Sequence, residues 1–297
     1  MSIERRQFLR HGITAGAALA AGLRAHRAQG AALPRRHAND VIELGPDKVK
    51  LSRLAMGTGT SGFGGSSSQT RQLGVKGIAD LLWFGYDNGV TFWDSADQYG
   101  SHPHLKAGLK NVAREKVAIM TKTHAKTYDE MKRDLDRFKA EIGTDYIDIV
   151  LLHAVREADW PEQRKGAMEY LSEMREKGVV KTHGLSCHSL PALQTAAKTP
   201  WVHVDLARIN PMGVAMDADP ATVREVLREM KRNGKGIIGM KILGEGRMRN
   251  RVDEMLAHAL AMEFVDVFTI GAENALELGD LIRRIPDASQ RGWPVEA

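Results

Sequence analysis

Eight short segments rich in apolar and β-branched residues recur along this chain, each followed by a helix-forming stretch, and that alternation leaves few folds open. The segments are Leu54–Thr58, Thr91–Asp94, Val117–Thr121, Tyr146–Leu152, Thr182–Ser186, Val202–Ile209, Gly236–Lys241 and Val265–Ile270. Tyr146–Leu152 is apolar at nearly every position, as strands covered on both faces are. The helices between them are signalled at both ends. Thr127-x-x-Glu130 is a capping box ahead of Met131, Leu135, Phe138 and Ile142 on one face, and Gly143 closes the turn. Asp219 followed by Pro220 caps Val223, Val226, Leu227 and Met230, and Asn274-x-x-Glu277 opens a last helix carrying Leu278, Leu281 and Ile282. Upstream, Val41–Leu44 and Lys48–Leu51 flank Gly45-Pro46-Asp47 as a hairpin. A strand–helix unit repeated eight times predicts an α/β fold, a single (β/α)8 TIM barrel with an N-terminal β-hairpin. Residues 41–297 number 257, close to the roughly 250 such a barrel needs.

Residues 1–32 read as a twin-arginine signal segment rather than as part of the barrel. Arg5-Arg6 heads the run Glu4 to Arg10, Gly12 to Leu23 is uncharged and weakly apolar, and small residues follow around Ala28 to Ala31. The apolar middle has twelve residues, against the about 20 that span a bilayer, so no permanent membrane anchor is expected. Residues 33–40 read as a polar linker. Five arginines and one glutamate in residues 1–30 account for +4 of the formal +5, so the body carries only +1. A nearly neutral body gives no reason to expect nucleic acid as a partner. The partner this segment implies is the twin-arginine export machinery, and the expected location is periplasmic or exported. Cys187 is the only cysteine, which rules out an intrachain disulfide.

Asp94, Tyr99, Lys122 and His153 fall at or just past the C-terminal ends of three successive predicted strands, the rim where barrel enzymes place their chemistry. Singly each is ordinary: a strand-ending carboxylate (with Asp97 as an alternative), a surface phenol, a solvated ammonium and a hydrogen-bonded imidazole. Together they are the parts for delivering a proton to a carbonyl oxygen, so a small carbonyl substrate is an expected partner. Tyrosine is a reluctant acid, with a free pKa of about 10, and a neighbouring ammonium favours its ionised form. Tyr99 is therefore expected as the acid, Lys122 as its tuner, Asp94 as the lysine's partner and His153 as the hydrogen-bond donor to the carbonyl oxygen.

Phe92-Trp93-Asp94-Ser95-Ala96-Asp97-Gln98-Tyr99-Gly100 resembles the second strand and loop of the aldo-keto reductases. Met120-Thr121-Lys122, Leu151-Leu152-His153 and Gly184-Leu185-Ser186 are similar to the ends of that family's third, fourth and fifth strands. The resemblance runs in order from residue 41 to about 285. It implies NADP(H) as cofactor, or NAD(H), with no metal. It also implies cofactor contacts at Gly59, Thr60, Asp94, Ser186, Met240, Lys241, Gly271 and Asn274. Cys187 stands where the family usually has asparagine, and Met240 where it commonly has a tyrosine stacked on the nicotinamide. No Lys or Arg directly follows Gly271 to hold a 2′-phosphate, so Lys241 is the candidate for that charge or for the pyrophosphate. The free N–H groups opening the last helix are expected to suit a phosphate. With little chain beyond Ile285, the substrate pocket is expected to use Ser61–Ser68 with Phe63, the segment around Trp160, and His124 or His188. Two other readings are a non-catalytic binding module and a metal-dependent hydrolase using His153, His203 and Asp205. The pair His102 and His104 is expected in a loop.

Overall fold

The computed structural model describes residues 33–293, so the expected signal segment at 1–32 lies outside the described residues. The strands are β1 (Val41–Leu44), β2 (Val49–Ser52), β3 (Leu54–Gly57), β4 (Phe92–Asp94), β5 (Ala118–Thr123), β6 (Ile147–Val155), β7 (Val180–Cys187), β8 (Val204–Arg208), β9 (Gly236–Met240) and β10 (Val267–Gly271). The helices are α1 (Ser68–Asp87), α2 (His102–Gly108), α3 (Tyr128–Ile142), α4 (Trp160–Gln163), α5 (Lys165–Glu176), α6 (Leu190–Lys198), α7 (Pro220–Arg232), α8 (Val252–Ala261) and α9 (Ala275–Arg291). Strands β3 to β10 close in chain order into a parallel barrel, β10 pairing back onto β3. The (β/α)8 fold is as expected, and no described helix is long and apolar enough to cross a membrane.

Alternation along each strand sorts side chains into two cores. Ala55, Phe92, Ala118, Met120, Ile149, Leu151, Val204, Leu206, Ile238, Met240 and Val267 fill the barrel, while their sequence neighbours pack outward against the helices. Helix α3 shows how the outer layer is specified: both halves of the Thr127–Glu130 capping box form, and Gly143 ends the helix at φ 76°. Its buried face is Met131, Leu135, Phe138 and Ile142. The hairpin β1–β2 inserts Leu44, Val49 and Leu51 into the inner core. At its tip Asp47 accepts hydrogen bonds from Arg175 (2.9 Å) and Thr182 (2.7 Å) and pairs with His203 (2.5 Å). That plugs the N-terminal mouth and leaves the C-terminal rim for chemistry.

Residues 34–40, within the expected linker, lie against the barrel: Ala38 is buried, Arg36 donates to the Leu260 carbonyl (2.8 Å), and Leu54 N–H donates to the Ala38 carbonyl. Two expectations need correction. His102 and His104 lie on α2, where Pro103 is tolerated because a first-turn N–H needs no helical partner. Trp160 is wholly buried at the start of α4, 6.2 Å from Trp201, and cannot line an open pocket.

Asp205 on β8 is an oddity of the outer core. It is fully buried, Oδ1 accepts from the Cys187 thiol (3.3 Å), and Oδ2 has no partner among the described residues. Burial raises its carboxyl from 3.8 to about 8, with Asp217 adding to the rise. The folded state then holds a proton that the unfolded chain releases near pH 4, so this group's stability contribution falls as pH rises from about 4 to 8. Asp205→Asn should remove that slope. Urea-unfolding free energies at pH 5 and pH 7.5 should show the variant gaining on the parent by up to about 1.4 kcal/mol per pH unit; a pH-independent difference would mean Asp205 titrates normally.

Candidate active site

Strand alternation carries one inward residue from each strand to the C-terminal rim: Gly57, Asp94, Lys122, His153, Ser186, Arg208, Met240 and Gly271. Three of the four expected catalytic residues are thus set by a period of two, and the fourth, Tyr99, comes from the short turn Asp97–Tyr99. Lys122 and His153 lie inside β5 and β6, which run further than the sequence pattern suggested. The register shifts between Leu152 and Val155, and Ala154 takes φ 51°.

Lys122 is fully buried; its Nζ donates to Asp94 Oδ1 and to the Ser95 carbonyl (2.6 Å). Thr269 donates to the other Asp94 oxygen (2.8 Å), a partner the sequence did not suggest. The ammonium lies 4.8 Å from the centre of the Tyr99 ring. Burial works to lower the Lys122 pKa, yet Asp94 and Tyr99 outweigh it and the net direction is up. For Tyr99 burial is the largest influence and raises the pKa; Lys122 pulls it down, and Asp94 pushes it up. The expected lowering by Lys122 is therefore present but outweighed, chiefly because burial disfavours the phenolate, with Asp94 adding to the rise.

Tyr99 is held between two glycines. A Cβ on Gly59 would fall 2.2 Å from the Tyr99 ring, and one on Gly62 would fall 2.3 Å from it. Gly59, expected against the cofactor, makes room for the phenol. The His153 ring meets Tyr99 edge-on (5.6 Å, 83°) and stacks on His124 (4.9 Å, 17°). Its Nδ1 is buried without a partner among the described residues, so packing sets its orientation. Burial, then the charge of Lys122, holds the imidazole well below its usual 6.5, and it is neutral at physiological pH. His188, near the same mouth, is lowered to about 3 by burial and by Arg208 and Lys241.

The remaining expected residues divide. Ser186 is buried, and its Oγ accepts the Ala154 N–H (3.0 Å). Met240 is a buried inward thioether, and Lys241 pairs with Glu245 (2.9 Å). Gln69, which the sequence reading missed, accepts from Thr60 N–H (3.0 Å) and donates to Thr60 Oγ1 (2.8 Å). It packs against Gly271, where a Cβ would sit 2.5 Å from its Nε2. Asn274 caps α9 by accepting from Glu277 N–H (2.9 Å), and Glu277 accepts from Glu273 N–H (2.8 Å). The Asn274 amide thus takes the Glu277 N–H, and the Glu277 carboxylate takes the Glu273 N–H just ahead of α9.

Arg208 was also missed. It is the last inward residue of β8, and Nε and Nη2 donate to Asp217 Oδ1, Nε at 3.1 Å. Alternation along Val204-Asp205-Leu206-Ala207-Arg208 was the available signal. Phe63 is 81% exposed, too open to count as a pocket wall, whereas His124 is at the site. The hydrolase residues are held apart. His203 pairs with Asp47 at the plugged mouth, Asp205 faces Cys187 in the outer layer, and His153 is at the rim. Asp97, His102 and Glu141 bring ligand atoms within 4.8 Å of one another. However, Arg137 bonds both acids, and both His102 nitrogens are taken by Glu141 and Thr121.

The sequence model of the Aldo/keto reductase family matches residues 55–278. The chain belongs to this family. A probable aldo-keto reductase of Glycine max is 30% identical over 159 residues, covering 49% of this chain and 44% of that protein. An aldo-keto reductase of Alternaria alternata is 23% identical over 259 residues, covering 72% and 68%. The chain thus spans less than half of the soybean relative. Among solved structures, an aldo-keto reductase of Pseudomonas aeruginosa superposes with a TM-score of 0.70 at 21% identity, covering 86% of this chain and 97% of that one. One from Bombyx mori, in complex with NADP, gives 0.63 at 14% identity, covering 85% and 92%. At those identities the likeness shows the fold alone. Membership supports a carbonyl-reducing oxidoreductase.

A nicotinamide dinucleotide suits the donor set of this rim. Ser186 and Arg208 offer hydrogen bonds, Met240 offers a polarizable apolar face, and the cations after β9 suit phosphate. The Gly59–Tyr99 contact is testable. Gly59→Ala should destabilise by about 1–3 kcal/mol through overpacking, and adding Tyr99→Ala should recover most of that loss in a double-mutant cycle. Additive losses would show that the two do not touch.

Proposed function

We propose that the protein reduces aldehydes or ketones to alcohols by hydride transfer from NADPH or NADH, with Tyr99 as the general acid. The observation carrying this reading is the convergence of a neutral imidazole, a buried ammonium–carboxylate pair and a protonated phenol at one rim. Ser186, Met240, Arg208 and Lys241 would hold the dinucleotide, which supplies the hydride when bound.

The chain's own residues do the rest. His153, kept neutral, donates an N–H to the carbonyl oxygen and fixes the carbonyl's orientation. Tyr99 gives its hydroxyl proton to that oxygen as negative charge develops there. An alkoxide is a far stronger base than a phenolate, so the transfer runs downhill even from a phenol whose pKa is raised. Lys122 then stabilises the phenolate, and Asp94 and the Ser95 carbonyl hold the ammonium in place. Burial excludes water, which strengthens each of these interactions.

Tyr99→Phe should lower kcat roughly 10²–10⁴-fold, the usual contribution of a positioned acid. NADPH affinity, read by tryptophan quenching, should change less than about twofold, because the hydroxyl is lost and the ring is kept. An unchanged kcat would remove Tyr99 from this role. Because burial raises the phenol's pKa, kcat/KM for reduction should show no loss from Tyr99 ionisation below about pH 10.

We also propose export through the twin-arginine route. Mass spectrometry of periplasmic protein should find a chain lacking roughly the first 30 residues, the usual length of such a leader. A full-length chain confined to the cytoplasm would overturn the export proposal.

A further inference from the structure

Among the described residues nothing bonds the buried Nδ1 of His153, so the direction in which the ring presents its other nitrogen is left to packing. Its flat partner is His124, stacked at 4.9 Å and 17°, within the range of offset aromatic pairs. His124 is the first residue past β5, two beyond Lys122, and it is exposed. Its backbone is fixed from both sides. Ala125 N–H donates to Thr123 Oγ1 (3.0 Å), and the buried Arg164 donates to the His124 and Ala125 carbonyls (3.2 and 3.4 Å). The ring is anchored as well. Nε2 lies 3.0 Å from Oε1 of Gln98, the residue before Tyr99 in the turn Asp97–Tyr99. The His153 carbonyl also accepts from the ring and favours its charged form. One exposed imidazole therefore touches both the turn that carries the proposed acid and the ring that orients the carbonyl.

We infer that His124 is a positioning residue for His153, and that its imidazolium, stacked on that ring and bonded to Gln98, is the form in which the site reduces fastest. The reason lies in the donors. A neutral imidazole has one N–H to share between Gln98 Oε1 and the His153 carbonyl, whereas the imidazolium has two and satisfies both. Protonation thus fixes the stack, and it adds a unit charge beside a ring that donates to developing negative charge. The charged groups facing His124 are Arg164 from the junction of α4 and α5, Asp97 from the turn and Asp134 from α3, with His188 across the mouth. Lys126, Glu130 and Arg133 line the hollow beside it. Enclosure of the ring lowers its pKa from 6.5, Arg164 adds to the fall, and Asp97, Asp134 and the His153 carbonyl oppose it. His188 titrates at about 3, His153 is held well below 6.5, and Tyr99 and Lys122 are raised above 10. His124 is therefore the rim imidazole that changes charge in mildly acidic water.

This inference rests on the reductase reading for the role of His153, so it is tested once with turnover and once without. With NADPH and an aromatic aldehyde, kcat of the full chain should rise about three- to tenfold from pH 8 to pH 5, the scale of one unit charge acting across a half-wet site. His124→Phe keeps a flat ring without the charge. It should hold kcat within about threefold of the parent at pH 8 and lose the rise. His124→Ala removes the stack and should lower kcat about tenfold at both pH values, with the aldehyde KM moving less than about threefold. A rise shared by the parent and His124→Phe, or an alanine variant within about twofold of the parent, overturns the inference. Ring-proton NMR without substrate gives the second readout. The His153 resonance should follow the His124 titration, with a midpoint below 6.5, and lose that inflection in His124→Phe. A His153 resonance indifferent to His124 also overturns it. A protein that shows this coupling yet reduces no aldehyde would contradict the proposed reaction and leave the His124–His153 pair standing.

Discussion

An ammonium buried beyond the reach of water is the constraint on which this rim is built. Lys122 has no exposed surface, and an unpaired charge in such a place is strongly destabilising. Asp94 makes it tenable, and Thr269 and the Ser95 carbonyl complete the shell around the pair. Removing one partner of a buried pair commonly costs about 3–5 kcal/mol. The pair therefore fixes β4 against β5 at their C-terminal ends and holds a cation next to Tyr99.

The same arrangement sets the protonation states around it. Burial and nearby cations keep His153 and His188 neutral. Burial keeps the Tyr99 phenol protonated despite the ammonium beside it. A site with a neutral donor and a charged stabiliser is poised for developing negative charge, because its dipoles are oriented beforehand. Two glycines against the phenol and an imidazole stack behind His153 supply the remaining positioning.

Much of this was legible in the chain. The eight strand–helix units were readable because parallel strands bury both faces and helix caps are local chemistry. Asp94, Lys122 and His153 were readable because strand ends are also rim positions. Arg208 was equally available from alternation and was overlooked, for lack of a motif to draw attention to it. Thr269 was not legible: its contact with Asp94 joins residues 175 apart, on strands that meet only when the barrel closes. Nor was the docking of residues 34–40, whose polar composition reads as a linker until Arg36 finds the Leu260 carbonyl.

Periodicity, caps and residue types by themselves determined the strand–helix units of the barrel, the N-terminal hairpin and the side chains at the strand ends, since each depends on neighbours within one or two turns of chain. Tertiary structure alone decided what those groups become. It made Tyr99 a weaker acid than its cationic neighbour suggested, set Gly59 as a wall for the phenol and separated His153, His203 and Asp205. The reason is physical: a pKa or a contact depends on burial and on charges brought close from distant parts of the sequence, and no local pattern records that distance.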